Sequence, residues 1–113
     1  MSKKKVYISL PMSGVESSVW RRYQDAVDYV KHLKGYELCE IIPPLDITDY
    51  MPHKKLKINT GKFTWGYYIG KDIELLSECT DIFLSHNWEK SKGCRIEKYV
   101  AEELNLNILY HDK

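Results

Sequence analysis

Short runs rich in β-branched and aromatic residues alternate along this chain with stretches of helical period, and that alternation constrains the fold more than any other feature. Lys5 to Leu10 ("KVYISL") is closed by Pro11 and reads as a buried strand. Ser13, followed three residues later by Glu16, is a capping-box pattern. Val19, Tyr23, Ala26, Val27, Val30 and Leu33 then recur at helical spacing, and Gly35 stands where such a helix would stop. "YELCEIIPP" reads as a second strand ended by Pro43 and Pro44. A second helix is expected from about Gly66, with Ile69, Ile73, Leu76 and Cys79 on one face. "DIFLSH" is a third strand, Ile96, Val100, Ala101 and Leu104 mark a third helix, and "NILY" is a short last strand. Parallel neighbours need a crossover of a dozen or more residues, usually helical. The order β-α-β-loop-α-β-α-β therefore predicts a parallel α/β sheet with helices on both faces. Residues 45 to 66 carry turn formers and charges with little periodicity and read as a long loop, of the length that is more often functional than idle.

At 113 residues the chain is expected to form a single domain, 1–113, around one core. Its 43% hydrophobic and 29% charged residues are ordinary for a soluble globular protein. Seventeen Lys plus Arg against sixteen Asp plus Glu leave a formal charge of +1, so no global field argues for a nucleic acid polymer or a membrane as partner. Cys39, Cys79 and Cys94 form no CxxC pair, a pattern that suggests a reducing cytoplasm. The N-terminal apolar run is broken by Ser9 and Pro11 and is too short for a signal peptide or a membrane span. His32, His53, His86 and His111 are scattered without ligand spacing, so no metal is expected, and "SLPMSG" is neither GxGxxG nor a P-loop, so no cofactor is expected. No GxSxG occurs, and the basic stretch "HKKLKINTGK" at 53–62 lacks the interleaved aromatics of a single-strand binding groove.

In a parallel α/β fold ligands sit at the carboxyl ends of the strands, near the point where strand order reverses. Two loops should meet there: "SLPMSG" after the first strand and "HNWEKSKG" after the third. In the first, Ser9, Ser13 and Gly14 put hydroxyls and N–H groups at a helix start, which suits an anion, although a plain capping turn accounts for the same residues. In the second, Ser91 can cap the third helix, Gly93 allows close approach to the backbone, and Glu97 follows in or just after the first turn. A surface acid favoured by the helix dipole, paired with Arg95 or Lys98, is the ordinary explanation for Glu97; a nucleophilic carboxylate is the sharper one. Asp72 lies beside the apolar stripe of the second helix, either facing the site or solvated. Tyr7 is a strand tyrosine whose hydroxyl needs a partner if buried. Trp65, Tyr67 and Tyr68 offer an aromatic wall for a base, or core or interface packing.

Taken together, "VYISLPMSG", "WGYYIGKDIELLSEC", "NWEKSKGCRIEKYVAEEL" and "NILY" resemble the small phage and bacterial domains related to nucleoside 2-deoxyribosyltransferases. The resemblance runs over nearly the whole chain apart from the 45–63 loop. It implies a three-layer αβα, flavodoxin- or Rossmann-like parallel sheet of four to five strands, and an N-glycosidic bond as target. By position, Glu97 in the run Ser-x-Gly-x-x-x-Glu matches the nucleophilic glutamate, Asp72 the aspartate associated with sugar and leaving base, and Tyr7 the strand tyrosine beside the nucleophile. Ser91 and Gly93 match the loop that contacts the sugar or a 5′-phosphate. Ser9 and the turn Pro11, Met12, Ser13 and Gly14 match the first ligand loop, and Trp65, Tyr68 and Trp88 complete the candidate substrate-binding set.

The resemblance thus implies cleavage of a nucleoside or nucleotide, or transfer of its 2-deoxyribosyl group, by Glu97 through an oxocarbenium-like state. The small-molecule partner would be a nucleoside or nucleotide. Self-association as a homodimer or higher homo-oligomer is expected from the many tyrosines and tryptophans and from the relatives. A nucleotide-binding module without chemistry and a protein-interaction domain using exposed aromatics are the alternatives.

Overall fold

The computed structural model describes residues 3–11, 16–44 and 65–111, with the side chains of 16–18 and 65–68 outside that description. In chain order the elements are β1 (Lys5–Ser9), α1 (Glu16–Lys31), β2 (Glu40–Ile42), α2 (Trp65–Leu76), β3 (Asp81–Leu84), a 3-10 turn (Trp88–Lys90), α3 (Lys92–Glu103) and β4 (Asn107–Tyr110). The four strands form one parallel sheet in the order β2-β1-β3-β4. The chain thus leaves β1 toward one edge and returns through β3 toward the other, which makes the carboxyl ends of β1 and β3 the switch point.

Strand alternation divides the core into two layers. Val6, Ile8 and Leu10 of the first strand segment, with Phe83, pack against Val19, Ala26 and Val30 of α1. Tyr7, Ile82 and Leu84 face the other way and pack with Leu76 of α2 and Ala101 of α3. The three-layer αβα arrangement follows directly. Each fully buried aliphatic or Phe side chain in these layers contributes about 1.5–3 kcal/mol relative to exposure.

Several boundaries differ from the sequence reading. The second strand shrinks from 36–44 to Glu40–Ile42, because Tyr36 to Cys39 are drawn into turns closed by Tyr36 N–H to Leu33 C=O and Cys39 N–H to Tyr36 C=O. Gly35 adopts φ 90° in that turn, four residues past the end of α1, and so terminates the connection and not the helix itself. Ser85 and His86 lie beyond the end of β3. The expected loop at 45–66 falls outside the described residues up to 64, and α2 begins at Trp65. Ser13 of the expected capping box also lies outside them. Among the described residues no helix is long and apolar enough to cross a membrane.

The amino edge of the sheet is locked by side chains. Asp81, fully buried at the start of β3, accepts hydrogen bonds from Tyr36 Oη (2.6 Å), Thr80 Oγ1 (2.5 Å) and Asn107 Nδ2 (3.2 Å). Thr80 Oγ1 also accepts from the Lys5 amide at 2.9 Å. This network ties three strands and the β2 approach at the end of the sheet opposite the switch point.

Candidate functional site

Glu97 is the sixth residue of α3, and it is turned into the protein. Spacing explains why: Cys94, Glu97 and Ala101 recur at i, i+3 and i+7, and these are the buried residues of the helix. Ser91 sets the start of that helix, its Oγ accepting from the Cys94 amide at 3.2 Å. The carboxylate is 5% exposed and reaches the underside of β1, where Tyr7 and Ser9 point to the same face. Tyr7 Oη donates to Glu97 Oε2 at 2.9 Å, and Ser9 Oγ donates to Glu97 Oε1 at 2.6 Å. Both donors are themselves fully buried. Residues about ninety positions apart in sequence therefore converge at the carboxyl end of β1, and each carboxylate oxygen receives a hydroxyl proton. Two charge-assisted hydrogen bonds suit an ionised carboxylate and fix its orientation.

The surface-acid explanation for Glu97 fails on this geometry. Arg95 turns away and donates to the Glu89 carbonyl at 2.8 Å, while Lys98 pairs with Glu102. A buried carboxylate is costly unless well bonded, and here it sits at the switch point where ligands of this fold class are taken.

Asp72, on α2, is 4% exposed, so it is not the solvated residue that one reading of the sequence allowed. It lies one turn before Leu76, which shares a core layer with Tyr7. One turn earlier, Ile69 reaches the start of α3: a Cβ built on Gly93 would stand 3.8 Å from Ile69 Cδ1 and 3.9 Å from Ser91 Oγ. These are ordinary van der Waals distances, so packing alone does not require glycine at position 93. Pro11 ends the strand segment with its carbonyl accepting from Arg22 Nη2 at 2.6 Å. Trp88 falls in the 3-10 turn, packed at the edge of the core layer that holds Tyr7 and 6.0 Å from the ring of Tyr110. Met12, Ser13 and Gly14 lie outside the described residues, as do the side chains of Trp65, Tyr67 and Tyr68.

A family model described as a domain of unknown function, DUF4406, matches residues 4–110. The chain belongs to the DUF4406 family. No curated protein and no solved structure matches it.

Two residues of this DUF4406 site were not singled out in the sequence. Cys94 is 1% exposed beside Ser9, Ser91 and Glu97. Burial pushes its thiol up to about 11; hydrogen bonds with Ser9 and Ser91 pull the other way, and the Glu97 carboxylate adds to the rise. It is therefore a protonated filler and not a nucleophile at neutral pH. Its i−3 relation to Glu97 was the available signal. Arg22 brings a guanidinium from α1 to the end of β1, with an electrostatic effect that reaches Cys94. Nothing in the spacing of α1 marks it, because its partner is a backbone carbonyl. All three cysteines are free and buried, and among the described residues no group of three or more His, Cys, Asp or Glu is placed to hold a metal ion.

Proposed function

We propose that this domain cleaves or transfers at the N-glycosidic bond of a nucleoside or nucleotide, with Glu97 as nucleophile. The observation that carries the reading is the buried Glu97 carboxylate held by Tyr7 and Ser9 at the switch point of the sheet. The resemblance to nucleoside 2-deoxyribosyltransferase-like domains supplies the substrate class.

In this reading Tyr7 and Ser9 hold Glu97 in one rotamer, so that the carboxylate meets the anomeric carbon of the sugar without reorganisation. As the bond to the base lengthens, the sugar takes on oxocarbenium character and the adjacent negative charge stabilises it. The base leaves with a proton supplied by Asp72, directly or through water. A glycosyl ester forms on Glu97; water resolves it in a hydrolysis, a second base in a transfer. Ser91 and Gly93 form the start of α3, where N–H groups suit the sugar or a 5′-phosphate. Self-association as a homodimer or higher oligomer belongs to the same proposal and is favoured by the exposed Tyr99 of α3 and Leu104 at its C-cap.

The test is incubation with each deoxynucleoside and its 5′-monophosphate, followed by chromatography for free base. Release that is lost in Glu97→Gln supports the proposal. Absence of release from every substrate, with ligand affinity unchanged in Glu97→Ala, overturns it. A nucleotide-binding module without turnover is the second reading, favoured by the fact that both carboxylate oxygens are already hydrogen-bonded within the protein. It predicts thermal stabilisation by a nucleotide that persists in Glu97→Gln.

A further inference from the structure

A cavity of about 560 Å³ lies at the carboxyl ends of β3 and β4, walled by Ser85, His86, Trp88, Glu89, Tyr110 and His111. Its size is within the range of small-molecule sites, roughly 300–1,000 Å³. Its Ser85 and His111 side lies on the opposite face of the sheet from the Glu97 centre, and Trp88 alone reaches the edge of the layer that holds Tyr7. Ser85 and His111 continue the strand alternation of Phe83 and Leu109, which face α1, whereas Glu97 lies on the α3 face.

Three features of the wall specify what it would hold. First, it is built of flat rings in a row. His111 stands 4.4 Å from Tyr29, and His86 stacks on His111 at 3.9 Å with 19° between the planes. His86 is the exposed end of that row, and Trp88 and Tyr110 form a second, tilted pair beside it. Second, Ser85 is 7% exposed, and its Oγ is buried with no hydrogen-bond partner among the described residues. Buried hydroxyls are rarely left so, and one in a cavity wall marks a polar contact that a ligand or water completes. Third, the wall contains Glu89 and neither Lys nor Arg. The nearby ammonium of Lys98, 5.6 Å from the centre of the Trp88 ring, is already paired with Glu102, so the wall itself offers an anion no cationic side chain.

We propose that this cavity is a second ligand site, which takes a neutral, planar heteroaromatic ring bearing hydrogen-bond donors and acceptors. The ring extends the imidazole row or enters against Tyr110, and its polar edge meets the Ser85 hydroxyl. The site requires no chemistry at Glu97 and stands or falls separately from the proposed reaction.

The experiment uses the full chain carrying Glu97→Gln, with adenine and cytosine as ring probes and inorganic phosphate and benzoate as anionic controls. Binding is followed by the chemical shifts of the His86 and His111 ring protons. Saturable binding of a ring probe at millimolar concentration or tighter is expected, with both imidazoles shifted. Tyr110→Ala removes a half-exposed ring and should weaken it about tenfold. Ser85→Ala should weaken ring binding while raising the melting temperature of the free protein, since it deletes an unsatisfied buried hydroxyl. Each of three outcomes overturns the proposal: neither ring binds; a ring binds with Tyr110→Ala and Ser85→Ala both indifferent; or the anions shift the imidazoles and the rings do not. Melting curves of both variants establish that they are folded.

Discussion

The contact between Glu97, Tyr7 and Ser9 can be taken apart so that stability and chemistry separate. Removing either hydroxyl, as Tyr7→Phe or Ser9→Ala, deletes a hydrogen bond to a charged group and should cost about 1.5–3 kcal/mol. For a domain of this size a loss of about 2 kcal/mol lowers Tm by roughly 10 °C. Glu97→Leu acts differently. It removes the carboxylate and strands two fully buried hydroxyls, each costing about 1–3 kcal/mol when unsatisfied. Adding Tyr7→Phe and Ser9→Ala to Glu97→Leu makes the whole contact apolar, and most of that loss should return, because an apolar set of similar shape leaves nothing unpaired. Urea unfolding of the singles and the triple measures this. If the network exists only to hold the core, the triple variant keeps every property of the protein. If Glu97 is the nucleophile, the triple is stable and base release falls by orders of magnitude. Stable singles would show that the hydrogen bonds contribute little. Full base release by the stable triple would refute the assignment of Glu97.

Other perturbations probe separate parts of the structure. Gly93→Ala meets no close contact, so the protein should gain up to about 1 kcal/mol from the helix preference for alanine while nucleotide affinity falls; equal affinity in a calorimetric titration would show that no ligand approaches that backbone. Cys94, with its thiol at about 11 against an ordinary 9, should react with iodoacetamide at pH 8 about a hundredfold more slowly than in urea, read by peptide mass spectrometry; burial slows it further. Asp81→Ala should unfold at clearly lower urea, removing the acceptor of Tyr36 and Asn107 and leaving Thr80 only the Lys5 carbonyl, and the part that stays folded should keep its ligand affinity. Tyr36 is raised from 10.0 to about 12, first by burial and then by Asp81. The folded state therefore holds that proton more tightly, its stabilising effect is complete below pH 10, and it is lost as pH rises toward 12. Tyr36→Phe should flatten that part of the alkaline stability curve.

How far the sequence reached depended on the range of the interaction that decides each feature. Element order, the four strands and the two helix faces rest on local period, so they were legible. The β4 strand matches "NILY" residue for residue. The second strand was overestimated because its end is decided by a long-range partner: Tyr36, apolar enough to continue a strand, instead sends its hydroxyl to Asp81, 45 residues away. Arg22 went unseen for a similar reason, its partner being the Pro11 carbonyl and not a side chain with a pattern.

The candidate site shows the same division in one helix. Residue spacing put Glu97 near the start of α3, but not which way it faces; at the surface or in the core the sequence "SKGCRIEK" is the same string. Only the neighbours at i−3 and i+4, Cys94 and Ala101, assign it to the sheet side, and both are small. That smallness has a consequence. A large residue at either position would lift α3 from the sheet and part Glu97 from Tyr7 and Ser9, whereas small ones let the helix settle until the carboxylate and the two hydroxyls touch. The distance that makes the site is thus set by residues that carry no chemistry, and Ala101→Leu should break the hydrogen bonds to Glu97 without altering any of the three groups that form them.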